Sequence, residues 1–304
     1  MRKLRIKVPG STANLGPGFD SVGLAVDRFL LIEAAPSKQW EFIYRTPGFE
    51  SIPTDEENLI FKAAAFTARQ SGVQKEVPAC KLHVDCELPL ASGLGSSAAA
   101  IVAGIELADQ LLDLSLSKKE KARIASIYEG HPDNVSASVY GGLIVASHSE
   151  KDTIVVPCGI PNIDMVIMTP TNQLMTSESR EVLPSTLTYQ DSIQASSVAN
   201  VLIAALLKGD LKTAGKMMKD DLFHQPYRSE IIPDLPLITA FGEKNGLEGV
   251  ALSGAGPSIM CYTAKGKGLA AIEKLKHAYP SYNCQLLAPS KEGATVTILK
   301  NSFS

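Results

Sequence analysis

The chain has 304 residues, 45% hydrophobic and 20% charged, with a formal net charge of −3. That length suits two domains around a sizeable core without disulfides or structural metal. The charge excludes an electrostatic footprint for nucleic acid or an anionic membrane surface, so any bound anion must be met by a few placed cations and backbone amides.

In chain order, Leu4, Ile6 and Val8 alternate with Arg5 and Lys7, the period of a strand with one buried face. Val22 to Ala34 is apolar and β-branched enough for further strand, and Asn58 to Arg69 predicts a helix. Lys81 to Leu88 is the clearest strand, with Leu82, Val84, Cys86 and Leu88 on one side. After a turn at Ser92 to Ser97, Ile101, Ile105, Ala108 and Leu112 form one helical stripe, for which Ser96 or Ser97 is the expected N-cap. Lys118 to Tyr128 predicts another helix, and Gly142 to Ser147 a strand. Polar Ser147 to Asp152 predicts a loop, and Pro157 to Asn162 holds two prolines and a glycine, so the division is placed as domains 1–157 and 158–304. Beyond it, helices are expected over 193–208, 211–222, 235–245 and 269–278, with strands over 165–169, 250–253, 259–263 and 295–299. That order suggests an α+β second domain.

The five cysteines, Cys80, Cys86, Cys158, Cys261 and Cys284, are odd in number and form no CxxC pair, which fits reduced thiols in a cytoplasmic protein. Charges interrupt the apolar residues after Met1-Arg2-Lys3, so no signal peptide is expected there. Ala98 to Leu112 contains Glu106 and Asp109 and is too short to cross a bilayer.

Pro89-Leu-Ala-Ser-Gly93-Leu94-Gly95-Ser96-Ser97-Ala98-Ala99 carries the strongest chemical signal. Its glycines permit sharp turns and close backbone approach. The helix that follows offers unpaired amides and a positive dipole end, a setting for phosphate. A Walker A loop is excluded because no Lys-Ser/Thr pair follows the glycines. A dinucleotide turn matches in letters, with Asp113 twenty residues past Gly93, but four residues, Pro89 to Ser92, separate the strand from Gly93 and Asp113 falls in a helical stretch. A plain strand-to-helix turn is the remaining alternative.

The same segment resembles the phosphate loop of the GHMP kinases. Two more segments resemble that family in order: Val8-Pro9-Gly10-Ser11-Thr-Ala-Asn14-Leu-Gly-Pro-Gly-Phe-Asp20, and Leu252-Ser253-Gly254-Ala255-Gly256-Pro257-Ser258. The resemblance implies a two-domain α+β fold, with an N-terminal α/β domain bearing the loop and a ferredoxin-like C-terminal α+β domain. It also implies ATP as phosphoryl donor and Mg²⁺ as its ion. Loop residues Pro89 and Gly93 to Ala99 would hold the phosphates, and Asn58 would contact adenine, although it could equally cap its helix.

Ser11 stands where mevalonate-kinase-like members carry a lysine, and the first motif is similar to the homoserine kinase branch. That likeness implies L-homoserine as substrate, on the route to threonine, with Asn14 and Asp20 at its amino end. Glu129-Gly130-His131-Pro132-Asp133-Asn134 extends it: Glu129 would ligate Mg²⁺ with Ser97, Asn134 would bond the reacting hydroxyl, and Asp133 is the candidate base. His131, Thr176, Gly254 and Gly256 would complete the substrate site, and Arg180 and Arg228 would take the carboxylate. A homodimer is expected by resemblance alone. The rival readings are a GHMP kinase for another alcohol and a catalytically silent binding protein of the same fold.

Overall fold

The computed structural model describes residues 3–171 and 176–299, with only the backbone of residues 176 and 177. The N-terminal half runs β1 (Lys3–Ala13), β2 (Val22–Pro36), β3 (Glu41–Tyr44), α1 (Leu59–Gln70), β4 (Cys80–Cys86), α2 (Ser96–Leu111), α3 (Lys118–Glu129), α4 (Asp133–Tyr140), β5 (Leu143–His148) and β6 (Thr153–Pro157). The rest runs β7 (Ile163–Thr169), α5 (Thr176–Glu181), α6 (Tyr189–Lys208), α7 (Leu211–Lys219), α8 (Gln225–Arg228), α9 (Asp234–Asn245), β8 (Gly249–Leu252), β9 (Ile259–Ala264), α10 (Gly268–Ala278), β10 (Asn283–Leu287) and β11 (Thr295–Leu299).

Two sheets organise these elements. The first has the order β11-β1-β2-β4-β3, with β5 and β6 continuing from β2. The second is antiparallel throughout in the order β10-β7-β9-β8, with helices between β7 and β8 and between β9 and β10 and a direct turn from β8 to β9, a ferredoxin-like pattern. Expected alternation is realised in β1, where Leu4, Ile6 and Val8 are buried and Arg5 and Lys7 exposed. Strand β11 forms over the expected residues but pairs with β1, Lys3 opposite Leu299, so the chain's last described strand returns to the first sheet rather than the second.

Several short elements carry no sequence signal of their own. Strand β3 has four residues and is fixed by parallel pairing to β4. Helix α4 begins directly after Pro132 and is eight residues long, rich in serine, and buried by packing rather than propensity. Strand β6 follows the expected loop and turns Ile154 and Val156 outward, hiding the usual alternation. The expected serine cap of α2 is corrected: its N-cap is Gly95 in the left-handed region at φ 68°, with no side-chain cap, and Ser96 is already helical. All five cysteines are free, four buried and Cys158 half-buried. Among the described residues no helix is long and apolar enough to cross a membrane.

The acidic residues of α2 explain how a polar pair survives in the core. Glu106 and Asp109 are each 5% exposed, and Lys121 of α3 lies 2.7 Å from both carboxylates. Asp109 also accepts from the Leu116 amide at 2.9 Å, closing the α2–α3 connection. Lys121→Met is expected to strand two buried carboxylates and cost about 3–5 kcal/mol in chemical denaturation. A change no larger than that of a surface substitution would show that the triad is dispensable.

Candidate active site

Between β4 and α2 the chain turns through Gly93 (φ 80°) and Gly95 (φ 68°), both in the region that favours glycine. A Cβ on Gly93 would collide with the Ser253 carbonyl, so this loop seats directly on the loop after β8. The buried Ser253 hydroxyl secures that seat, 2.6 Å from the Gly93 carbonyl and 2.9 Å from the Thr12 hydroxyl. Within α2 the first amide to bond backwards is that of Ala99, to Gly95, which leaves the preceding turn of N–H groups for a ligand. Ser96, Ser97 and Ala98 line the adjoining cavity of about 560 Å³, as do Gly93 and Gly95. Pro89, Leu94 and Ala99 do not line it, and Leu94 turns into the core at 4% exposure. Gly95→Val would drive a β-branched side chain at positive φ into the Ser11 hydroxyl. ATP affinity of the folded variant is expected to fall roughly tenfold or more, the scale of 1–3 kcal/mol of strain. An unchanged nucleotide titration would remove the phosphate assignment from this loop.

At one end of the same cavity stand Asn14, Phe19, Asp20, Arg180 and Arg228. The turn after β1 is bent sharply, with Asn14, Leu15 and Asp20 all at positive φ. Asn14 serves as its brace: Oδ1 accepts from the Asp20 amide, and Nδ2 donates to the Gly254 carbonyl, each at 3.0 Å. Its amide therefore joins the first motif to the glycine loop after β8. Asp20 receives a two-pronged bond from Arg180, at 2.7 and 3.1 Å. These two residues, expected to contact opposite ends of one ligand, neutralise each other here. Thr176 opens α5, and its side chain lies outside the described residues.

Arg228 is a different kind of cation, only 1% exposed. Its Nε donates to the Ser179 carbonyl at 3.1 Å and Nη1 to the Gly254 carbonyl at 3.2 Å, while Nη1 also meets His224 Nδ1 at 3.0 Å. His224 Nε2 lies 2.9 Å from the Gly16 carbonyl, so Nε2 carries the proton and Nδ1 accepts. Burial holds this histidine below its usual pKa, which keeps it neutral in that role. Burial and the nearby Arg180 bring Arg228 down to about 10, still a cation at neutral pH. It pairs with no carboxylate among the described residues. Phe19, unnoticed among the letters of its motif, stacks on His224 at 5.2 Å and lies under both guanidiniums, 5.5 Å from Arg180 and 5.4 Å from Arg228.

Beside this cluster, α3 ends at Glu129 and α4 begins at Asp133. Gly130 caps α3 in the left-handed conformation, so the chain reverses at once and brings Glu129, His131, Asp133 and Asn134 to one wall. Asp133 Oδ1 sits 2.6 Å from His131 Nδ1 and accepts from the Asn134 amide at 2.8 Å. Burial opposes the charge on His131, but the bond to Asp133 and the neighbouring carboxylates outweigh it and raise its pKa. Among the described residues Glu129 makes no side-chain hydrogen bond, with His131 Nε2 4.0 Å away. Burial raises its pKa.

The other end of the cavity is apolar, lined by Leu30, Tyr44, Phe49, Ile52, Leu59 and Leu90. Tyr44 and Phe49 stack at 5.4 Å with 7° between their planes. Asn58 caps α1 by accepting from the Ile60 amide at 3.0 Å, and its Nδ2 donates to the Tyr44 hydroxyl at 2.9 Å and the Pro53 carbonyl at 2.6 Å. The capping alternative is thus realised, and both donor directions of the amide are engaged by the protein.

Known proteins resemble this chain over nearly its whole length. Residues 58–142 match the family described as GHMP kinases N terminal domain, and residues 202–281 match GHMP kinases C terminal. The homoserine kinase of Shouchella clausii is 49% identical over 96% of this chain and 98% of its own. That of Halalkalibacterium halodurans is 44% identical over 96% of this chain and 94% of its own. The crystal structure of homoserine kinase from Cytophaga hutchinsonii superposes with a TM-score of 0.82 at 25% identity, covering 98% of each chain.

Proposed function

The chain belongs to the GHMP kinases, on their homoserine kinase branch, and from that premise we propose how its cavity transfers the γ-phosphoryl of ATP to the hydroxyl of L-homoserine, a step toward threonine. The apolar end with its Tyr44–Phe49 wall accepts the adenine, and the free amides of α2 with the Gly93–Ala98 turn hold the phosphates. The polar end accepts a zwitterion. Asp20 and Arg180 satisfy each other without ligand, and homoserine brings one opposite charge for each: ammonium for Asp20, carboxylate for Arg180 and Arg228. Asn134 meets the hydroxyl.

The observation that carries the substrate reading is Arg228, a buried cation paired with no carboxylate among the described residues, facing the cavity that also holds the proposed phosphate loop. Such a group is stabilised when an anion arrives. Phosphoryl transfer demands alignment and charge neutralisation, and a loose transition state needs little prior deprotonation. Asp133, already bonded to His131 and Asn134, is placed to orient them, which makes a dedicated strong base unnecessary.

For Mg²⁺ the fitting donors are hard oxygens, the Glu129 carboxylate and the Ser97 hydroxyl, both on the cavity wall. Asp20, His131 and Asp133 also converge, but one is a nitrogen donor and the carboxylates are engaged by Arg180 and His131. When bound, the ion would neutralise phosphate charge. We also propose the domain division near residue 157, with β11 returning to the first domain, and a homodimer, which sedimentation would test.

The deciding experiment is coupled ADP release with homoserine, mevalonate and galactose. Turnover is expected with homoserine alone. Equal turnover with a sugar, which offers no carboxylate, would overturn the substrate reading.

A further inference from the structure

The hydroxyl of Ser11 lies at a junction that neither the phosphate loop nor the acceptor site explains alone. Ser11 is fully buried near the end of β1, and its amide donates to the Leu94 carbonyl of the glycine loop at 3.1 Å. Its Oγ accepts from Asn134 Nδ2 at 2.9 Å and donates back to the Asn134 main-chain carbonyl at 3.3 Å. Nδ2 also lies 3.4 Å from the Ser11 carbonyl, which can only accept. The carbonyl demands the NH₂ of the amide on this side, and the hydroxyl accepts from it because its one proton goes to the Asn134 main-chain carbonyl. Oδ1 is therefore turned the other way, toward Gly254 on the cavity wall, where a Cβ would stand 4.0 Å from it. Gly95 is what leaves room for the arrangement, since a Cβ there would collide with the Ser11 hydroxyl and come within 3.2 Å of Nδ2.

We propose that Ser11 is a positioning residue that locks the Asn134 amide with its oxygen toward the acceptor alcohol. The proposal rests on the reading above that Asn134 meets that hydroxyl. Its chemical content is directional. An amide oxygen accepts the alcohol's O–H and leaves an oxygen lone pair free for the phosphorus. A flipped amide would present N–H donors, which bind that same lone pair and oppose attack. No proton is removed by Asn134 in either case. The serine thereby ties three sequence motifs to one torsion: the first strand carries it, the glycine loop clears its space, and α4 supplies the amide it holds.

The test is a double-mutant cycle on kcat with homoserine and ATP both saturating. Ser11→Ala is expected to lower kcat about three- to tenfold, the worth of one neutral hydrogen bond, with either KM changing less than about twofold. In an Asn134→Ala background the same substitution is expected to cost nothing further. Ser11→Cys, which keeps the size but is a poor acceptor, is expected to match Ser11→Ala and covers the case in which alanine impairs folding. Additive losses, or an effect confined to KM or thermal stability, would overturn the role of Ser11 while leaving Asn134 in place. Full activity of Asn134→Ala would instead remove Asn134 from the acceptor site and this proposal with it.

Discussion

Arg228→Lys is expected to raise the KM for homoserine roughly ten- to a hundredfold while ATP affinity stays near wild type. Charged hydrogen bonds are each worth about 1.5–3 kcal/mol, and a guanidinium can meet a carboxylate with two parallel bonds that an ammonium cannot copy. The site makes the exchange worse than a loss of geometry. Burial and Arg180 already pull the guanidinium down to about 10, and an amine starting from a lower value would lose more of its charge there. Lysine would also leave the Ser179 and Gly254 carbonyls short of a donor, so some loss of thermal stability accompanies the effect. ATP titration of the same preparation separates the two. Arg180→Ala is expected to raise KM as well, because it removes one clamp and frees Asp20. A homoserine analogue without the carboxylate should be used poorly by the wild type and lose little further in either variant. If both variants kept the wild-type KM, the carboxylate clamp would be wrong.

Glu129→Gln is expected to lower turnover by orders of magnitude, with the fold intact. The two side chains have nearly the same shape, and among the described residues Glu129 makes no side-chain hydrogen bond that the amide would break. What disappears is a charge, in a setting where burial already disfavours it. On the proposed reading a cation arriving with the nucleotide offsets that cost, and removing its carboxylate would forfeit several kcal/mol of transition-state stabilisation. The measurement is turnover as a function of free Mg²⁺, beside calorimetric titration of the metal–nucleotide complex. Near wild-type turnover at limiting Mg²⁺ would transfer the ligand role to another carboxylate on the wall.

Much of this was legible in the letters, for identifiable reasons. The helices with long apolar stripes, such as α2 and α6, and the alternating strands β1 and β4 announce themselves because their own residues bury one face. Strand β3 and helix α4 do not, since neighbours dictate them. The glycine loop was legible because its sharp turn and close backbone approach need glycine at stated spacing, whereas the cap of α2 differs because a left-handed glycine ends the turn as well as a serine side chain does. Asn14 and Asn58 carry amides that the protein itself consumes; the cap by Asn58 was an open alternative, but no spacing reveals that their NH₂ groups go to Gly254, Tyr44 and Pro53. Phe19 and His224 were invisible for a related reason: a ring that supports two cations looks like any core residue until the cations are seen above it.

The pairing of β11 with β1 sets an order of events during synthesis. Strand β1 leaves the ribosome before the other described strands, yet the partner on its outer side is made only after the whole second sheet, with Lys3 opposite Leu299. Until then the first sheet presents an open row of backbone donors and acceptors, the kind of edge on which other chains add. The nascent N-terminal half can collapse and pair β2 with β1 early, but its boundary is sealed only after the second sheet has been synthesised in between. Closure over so long a loop is slow. Completion of the first sheet thus waits until the second has been made, and a chain released before residue 295 would carry an unsealed edge however well its second sheet had formed.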